Sequence, residues 1–332
     1  MRKRILYTNA SIIGSASVVG HKEHEGPLGN LFDIYDGKDN FKEKTWEKAE
    51  NRMQKIAMTE ALKKTNTVES DIDAMLAGDL MNQCTGSAYG LLDFDIPYLG
   101  LYGACSTAIE GIMISSLLIT NGHFNKCAAI TSSHFCTAEQ QYRTPLEYGG
   151  QRSPTAQWTV TGSGAFIIGK ETDAKVKVTK TLPGIVIDKG VNDAANMGAA
   201  MAPAAIDTLV TFFRESQTSP NEYDAIYTGD LGVEGSSILR EFMKIEGYEL
   251  GDNYEDCGNI IFDIESQDVH SGGSGCGCSA VVLASYIIPK LKSGEIKNAI
   301  LIGTGAMMSP SSLKQGLSIP AVAHLILLEG EN

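Results

Sequence analysis

The strongest constraint on the fold is an internal repeat. Residues 73–80 read DAMLAGDL and residues 224–231 read DAIYTGDL, so five of eight positions are identical at an offset of 151 residues. A second pair of segments, 122–133 and 294–305, follows in the same order at an offset of 172 residues. Each contains a glycine, a polar loop, an apolar run and small polar residues. The larger offset predicts an insertion between about 233 and 268.

Short apolar runs alternate with helical patterns in both copies, as in an α/β fold with largely buried sheets. The first copy has apolar runs that predict strands over 4–19, 72–77, 127–131 and 164–169, and a helix over 46–64 that Thr45 caps. In the second copy, the sequence predicts a strand over 260–264 and a helix whose first turn contains Pro203. We therefore predict two duplicated halves, 1–172 and 173–332.

Composition excludes several classes of function. The net charge of −13 argues against binding to nucleic acid or directly to anionic lipid. Seven cysteines without the spacing of a disulfide framework indicate synthesis in a reducing compartment. The basic N-terminus leads into an apolar run that polar residues interrupt, which predicts a first strand and not a signal peptide. No uninterrupted apolar run reaches the roughly 18 residues of a membrane span, so we expect membrane attachment only through a partner.

The candidate site centres on Cys105. It lies in the small-residue segment YGACSTA, before an apolar stretch that predicts a buried helix over 109–119. A thiol at a helix N-terminus faces unpaired N–H groups, which favours the thiolate. The repeat offset aligns Cys105 with Gly277, in the segment HSGGSGCGC that also precedes an apolar helix. We expect the two helix starts to meet near a shared axis and to form the site there. The alternative for Cys105 is that it has no role in a site and is a small hydrophobic residue of the core.

Three motifs resemble the thiolase superfamily, particularly its β-ketoacyl-acyl-carrier-protein synthase III branch. They are GACSTA around Cys105, TGSGA at 161–165 and HSGGSG at 270–275. This resemblance implies a five-layer α-β-α-β-α fold built from two duplicated halves, and a homodimer. Longer segments resemble, more narrowly, the stage V sporulation protein AD family: AGDLMNQ (77–83), TAQWTVTG (155–162), GAMMSP (305–310) and SIPAVAH (318–324).

The narrower resemblance implies a protein that binds dipicolinic acid, alone or with calcium, and helps move it into the developing spore. Its expected partners are membrane proteins of the same sporulation transport assembly. The expected location is peripheral, at the spore inner membrane, after synthesis without a signal peptide. We predict no cofactor, no metal site and no nucleic-acid partner.

The residues available for catalysis are fewer than the superfamily's chemistry requires. Its enzymes combine the nucleophilic cysteine with a histidine and an asparagine, or with a histidine and a second cysteine. The loop TGDLG at 228–232 has neither histidine nor asparagine, and 301–305 has no cysteine. Only His270 remains as a candidate base for Cys105. We therefore predict a non-catalytic binding protein; the alternatives are an acyl-thioester condensing enzyme or acyltransferase that uses Cys105, and a purely structural scaffold.

Dipicolinate is a flat aromatic dianion, so candidate contacts are a helix start, cationic side chains and a ring. The predicted ligand-binding residues are Cys105, His134, His270, Asp79, Arg143 and Trp158, with Tyr142 as the alternative ring for stacking on the ligand. Most also have a simpler interpretation. His134 and Trp158 fit a structural role in the core, Arg143 fits a surface or dimer contact, and Asp79 fits a hydrogen bond that holds a strand end.

Overall fold

The computed structural model describes residues 3–142, 152–171 and 174–331. Within these ranges the strands are β1 (Leu6–Val19), β2 (Ile34–Tyr35), β3 (Ala74–Gly78), β4 (Tyr98–Gly100), β5 (Lys126–Ser133), β6 (Trp158–Thr159), β7 (Gly162–Gly169), β8 (Val176–Leu182), β9 (Ala225–Thr228), β10 (Tyr254–Asp256), β11 (Gly273–Ser274), β12 (Asn298–Ala306) and β13 (Ala321–Gly330). The helices are α1 (His21–His24), α2 (Trp46–Thr65), α3 (Thr85–Gly90), α4 (Thr107–Thr120), α5 (Phe135–Tyr142), α6 (Met197–Ser216), α7 (Gly232–Ile245), α8 (Cys257–Ile260), α9 (Cys276–Val282), α10 (Ile288–Ser293) and α11 (Pro310–Lys314).

The order of strands in the main sheet reads as two mirrored halves. The order is β10-β9-β12-β13-β8-β1-β7-β5-β3-β4, and β2 pairs with β1. From the central β8–β1 pair outwards, each half has two antiparallel pairings followed by two parallel ones. β3 and β9, which contain the repeated motif, occupy equivalent positions. The arrangement confirms the predicted duplicated fold.

Five layers follow from the helix contacts. Helix α2 covers β1, β5 and β7 on one outer face, and α6, with α7 beside it, covers β12 and β13 on the other. Helix α4 contacts strands of both halves, while α9 packs on β5 and β7 and α10 on β8 and β13. These three helices form the middle layer. Because α4 is enclosed by both halves, its sequence is apolar on nearly every side.

Local signals explain the helix boundaries. Helix α2 begins after Thr45, whose side-chain oxygen accepts the backbone N–H of Lys48 at 3.3 Å, and it ends at Asn66 in the left-handed conformation. Its buried residues Met53, Ala57 and Ala61 recur at helical spacing towards the sheet. The predicted helix over 46–64 is therefore confirmed.

Two local predictions are wrong. Pro203 lies inside α6, which begins six residues earlier because Asn196 accepts the N–H of Ala199 at 3.2 Å and caps the first turn. Residues 260–264 form no strand; Ile261 and Phe262 fill the core from a turn after α8. The chain passes from the first half to the second between Gly169 and Val176. Because residues 172 and 173 lie outside the described residues, the boundary at 172 stays a prediction.

Candidate functional site

Cys105 lies in a one-turn 3-10 segment, Ala104–Ser106, directly before α4. Ala104 has a φ of +49°, a left-handed conformation that is rare for a residue with a side chain. Its carbonyl accepts the hydroxyl of Thr107 at 2.6 Å. The turn packs tightly against β12, since a Cβ on Gly305 would lie 2.2 Å from the Gly103 oxygen. The absence of a side chain at Gly305 therefore permits this position of the thiol.

The second half of the chain contacts the thiol directly. Ser274 places its hydroxyl 3.9 Å from the Cys105 sulfur, and the Cys276 sulfur lies 3.0 Å from the carbonyl oxygen of Ala104. Both residues belong to the segment that leads into α9. The two helix starts that the repeat aligned are therefore side by side in the middle layer.

Asp230 lies beneath this contact, just after β9. Its carboxylate accepts the hydroxyl of Ser274 at 2.9 Å, the N–H of Gly275 at 2.9 Å and the hydroxyl of Thr304 at 2.7 Å. The side chain is fully buried, and the hydroxyl of Ser274 lies between it and the Cys105 sulfur. A carboxylate therefore occupies the position next to the sulfur, where a condensing enzyme needs a base or a positive charge.

The electrostatics of the site favour the protonated thiol. Burial raises the pKa of Cys105 well above its ordinary value, and the Asp230 carboxylate and the Cys276 sulfur add to the increase. Burial also raises the pKa of Asp230, although the groups that donate hydrogen bonds to it oppose this shift. The prediction that the helix start favours a thiolate is wrong, because burial and a neighbouring carboxylate both raise the pKa of the thiol.

Two adjoining cavities lead to the thiol. The inner cavity has a volume of about 60 Å³ and the outer one about 390 Å³; both are lined by Tyr102, Tyr142 and Met308. The two phenol oxygens are 3.3 Å apart, and Tyr142 donates to the carbonyl oxygen of Leu80 at 2.8 Å. Burial raises the pKa of Tyr102 to about 12, so its hydroxyl stays neutral. Among the described residues, Glu139 is the one acidic or basic side chain that lines either cavity.

The structure does not bring His270 to the thiol. Its Nδ1 lies 2.7 Å from the carbonyl oxygen of Ser153, and its Nε2 lies 3.1 Å from the Asp268 carboxylate. It does not line the cavity at Cys105. One ring nitrogen contacts the segment before β6 and the other contacts the loop before β11. The structure therefore does not pair this histidine with the nucleophile.

His134 and Trp158 also have structural partners away from the cavity. The Nδ1 atom of His134 accepts the N–H of Cys136 at 3.1 Å, and its Nε2 lies 2.8 Å from the Asp39 carbonyl oxygen. Burial lowers the pKa of His134, which keeps the ring neutral. Trp158 stacks on Phe135, with ring centroids 3.9 Å apart. Neither residue lines the cavity at Cys105.

Asp79 holds the turn after β3. Its carboxylate accepts the N–H and the hydroxyl of Ser87, each at 2.7 Å, and the N–H of Met81 at 2.9 Å. This geometry matches the structural alternative stated for Asp79. Arg143, the remaining predicted ligand residue, lies outside the described residues. Of the six predicted positions, the structure thus places Cys105 in the cavity wall.

Sequence reasoning missed the groups that surround the thiol. Asp230, Ser274 and Tyr102 are not among the residues that the sequence predicts for the site. One signal was present: the loop TGDLG offers an aspartate where the resemblance required a histidine. What the linear sequence does not give is the packing of this loop against the start of α9.

Solved structures with the same architecture identify the fold. The chain is similar to 3-oxoacyl-[acyl-carrier-protein] synthase III from Aquifex aeolicus, with a TM-score of 0.60 at 14% identity over 96% of this chain and 99% of that one. It is also similar to OleA from Xanthomonas campestris, with a TM-score of 0.64 at 14% identity over 99% and 100% of the two chains. At this identity the likeness shows the fold alone. The chain has the thiolase-like fold.

Sequence comparisons identify the family. A family model described as Stage V sporulation protein AD (SpoVAD) matches residues 2–329. Stage V sporulation protein AD from Bacillus subtilis (strain 168) is 42% identical over 315 residues, which cover 95% of this chain and 93% of the relative. The chain therefore belongs to the stage V sporulation protein AD family. None of the helices in the described residues has the length and apolar character needed to cross a membrane.

Proposed function

We propose that this chain binds dipicolinate and helps to move it into the developing spore, without catalysing thioester chemistry. We propose further that it acts peripherally at the spore inner membrane, together with membrane proteins of the transport assembly. Membership in a sporulation family supports the biological setting. The observation that carries the non-catalytic part is the buried Asp230 carboxylate beside the Cys105 thiol.

The physical reason lies in the ionisation of the thiol. A cysteine attacks a thioester as the thiolate, and enzymes lower its pKa with an imidazolium or another positive charge. Here burial and the Asp230 carboxylate instead raise the pKa of Cys105. Within the described part of the chain, no histidine lines the cavity to accept the proton. A cavity of this kind is suited to holding a ligand and unsuited to forming an acyl-enzyme.

The size and charge of the cavities favour one form and position of the ligand. The inner cavity, at about 60 Å³, is smaller than the roughly 150 Å³ cavity that accommodates benzene. The outer cavity has about 390 Å³ and two tyrosine rings against which a pyridine ring can stack. Its described lining has no charged side chain. Against this described part of the lining a free dianion gains no counter-charge for its lost hydration, whereas a calcium chelate brings its own cation. We propose the chelate, bound in the outer cavity against Tyr102 and Tyr142.

Isothermal titration calorimetry with dipicolinate, in the presence and absence of calcium, tests this proposal. We expect saturable binding that is tighter with calcium, and a loss of at least tenfold in affinity for Tyr102→Ala, because the ring platform is removed. Tyr7→Ala is the matched control, since Tyr7 is an exposed tyrosine on β1 outside both cavities. Absence of binding at millimolar concentration would refute dipicolinate as the ligand. Equal affinity with and without calcium would refute the chelate.

The fold and the retained cysteine favour one competing function, an acyl-thioester condensing enzyme or acyltransferase. Incubation with acyl-CoA followed by intact-protein mass spectrometry separates the two functions. We expect no stable acyl adduct. An adduct on Cys105 that disappears in Cys105→Ser would show that the thiol is a working nucleophile and would overturn the non-catalytic proposal.

We also propose that the chain forms a homodimer through β4, an exposed edge of the sheet. Tyr98 and Leu99 on this strand are about two-fifths exposed, and an open strand edge pairs readily with another strand. The opposite edge, β10, is protected, since Arg240 donates to the carbonyl oxygen of Tyr254 at 3.1 Å. Light scattering should give the mass of a dimer, and Leu99→Lys should shift it towards the monomer. A monomeric parent chain would contradict this proposal.

A further inference from the structure

Helix α7 has two apolar stripes, although packing on its own half uses only one. Leu239 and Met243 face the core and are fully buried. Ile238, Phe242 and Ile245 follow a second line at spacings of four and three residues. Phe242 is 48% exposed and Ile245 is 69% exposed. A solvated helix face normally has polar residues at these positions, so this second stripe requires an explanation.

Helix α6 presents a matching stripe to the same space. Pro203, Ile206 and Val210 are half-buried, and with Ile238 and Phe242 they line a cleft of about 720 Å³ on the outer layer of the second half. The two stripes, 203–210 and 238–245, span eight residues each, which corresponds to a rise of about 10 Å, or two helical turns. The cleft is therefore an elongated apolar groove walled by helices; we call it the α6–α7 groove.

The groove geometry favours a helix as its occupant. An added β-strand needs an open sheet edge with free backbone groups, whereas the backbone groups of α6 and α7 are bonded within the helices. Apolar side chains that protrude from a helix at positions i, i+3, i+4 and i+7 fit between two such stripes. The occupant is thus an amphipathic helix of at least two turns.

The charge around the groove indicates which residues flank the apolar face of the partner helix. Between residues 185 and 249 the chain has eleven acidic and four basic residues; without Asp230, which is buried near Cys105, this segment has a net charge of −6. The groove lining itself includes Asp207, which forms an ion pair with Arg4 at 2.7 Å, and Glu246 against Lys189. A second copy of this surface would bring the same negative charge and be repelled. A complementary partner carries lysine and arginine beside its apolar stripe.

We propose that the α6–α7 groove is a docking site for a basic amphipathic helix of another protein. The groove lies on the outer helical layer of the second half, whereas the proposed dimer edge is β4 of the first half. The two surfaces can therefore be occupied at the same time. The inference does not depend on dipicolinate binding, since the groove and the ligand cavities share no lining residue among those described.

A labelled synthetic peptide of 18 residues tests the proposal with the full-length chain, by fluorescence anisotropy. The peptide has leucine at i, i+3, i+4 and i+7 and lysine at the remaining positions; a second peptide has glutamate in place of lysine. We expect saturable binding of the basic peptide that weakens with added salt. Phe242→Ser combined with Ile245→Ser should weaken it at least tenfold. Val68→Ser combined with Leu92→Ser is the control, because those side chains are also exposed and apolar but lie in the first half.

Each remaining outcome overturns the proposal. No saturable binding of the basic peptide would show that the groove does not accept such a helix. Equal binding to the groove variant and the control variant would show that the peptide associates only through net charge. Tighter binding of the acidic peptide would refute the charge assignment. If the groove variant changes the sedimentation coefficient of the chain alone, the groove is instead a contact between copies. Circular dichroism establishes that both variants are folded.

Discussion

Replacing Asp230 by asparagine isolates its effect on the Cys105 thiol. The substitution removes the charge while keeping the size of the side chain. An asparagine oxygen can still accept the N–H of Gly275, and its amide nitrogen can donate to the hydroxyl of Thr304, which lies 2.7 Å from the present carboxylate. The variant is therefore expected to fold, and a thermal melt would confirm it. We predict that the thiol becomes more reactive.

The magnitude follows from the distances. Ser274 places its hydroxyl 3.9 Å from the Cys105 sulfur and 2.9 Å from the Asp230 carboxylate, so sulfur and carboxylate are at most about 7 Å apart. At an effective dielectric constant of about 20, two unit charges separated by roughly 4–7 Å interact by roughly 2–4 kcal/mol. Every 1.4 kcal/mol or so changes an equilibrium tenfold, so the thiolate fraction should rise more than tenfold. Burial persists, so the pKa of Cys105 stays above its ordinary value even in the variant.

Iodoacetamide labelling at pH 8, followed by peptide mass spectrometry at Cys105, measures this change. We expect at least tenfold faster labelling in Asp230→Asn than in the parent chain. Asp79→Asn is the matched control, because Asp79 occupies the equivalent position of the repeat but its hydrogen bonds go to its own turn. Equal labelling rates in the parent and in Asp230→Asn would refute the reasoning. Rapid labelling of the parent near neutral pH would show that the helix start, and not the carboxylate, controls the thiol.

Three further predictions concern stability and ligand specificity. Burial raises the pKa of Glu50 from 4.5 to about 8, so between these pH values the folded chain holds a proton that the unfolded chain has lost. The free energy of unfolding, measured by urea titration, should therefore fall as the pH rises from about 5 to 8. Glu50→Gln should make this fall smaller. Gly305→Ala should lower the free energy of unfolding by about 1–3 kcal/mol, through a clash with the Gly103 carbonyl, whereas Gly37→Ala, with nothing within 4 Å, should not lower it. His134→Ala should lower the melting temperature and leave dipicolinate affinity unchanged in calorimetry, because its ring bonds structural partners.

The fold could be predicted from the sequence because the two duplicated halves contain the same sequence pattern. Two repeated segments in the same order predict strands at equivalent positions of the two halves. The apolar helix after Cys105 indicates a layer that is buried on both sides. Shorter elements were less accessible. Helix α5 lies in a stretch that reads as polar loop, since its eight residues bury only Thr137 and Ala138. Pro203 misled because Asn196 caps α6 well before the proline, so that Pro203 lies inside the helix and not in its first turn.

The site was less accessible because it depends on contacts between the two halves. The sequence locates the thiol at a helix start, and that position alone predicts a thiolate. Whether the thiol ionises is decided by Asp230 and by the extent of burial, both of which are properties of packing. The contacts of the histidines were not accessible for a related reason. A histidine near a glycine-rich motif indicates a base, but the nitrogens of His270 are directed to Ser153 and Asp268, and no local pattern reveals this.

The two repeated aspartates show how one motif acquires two roles. Asp79 and Asp230 end equivalent strands, and each accepts hydrogen bonds from the segment that follows or faces it. In the first half these donors are Met81 and Ser87, so the carboxylate stabilises a turn of its own half. In the second half one donor is Ser274, which also contacts the thiol of the other half. The carboxylate there acts on Cys105 because the two helix starts meet in the middle layer. A duplicated fold thus keeps a structural residue and, at one of its two positions, makes it a residue that, together with burial, raises the pKa of the retained cysteine.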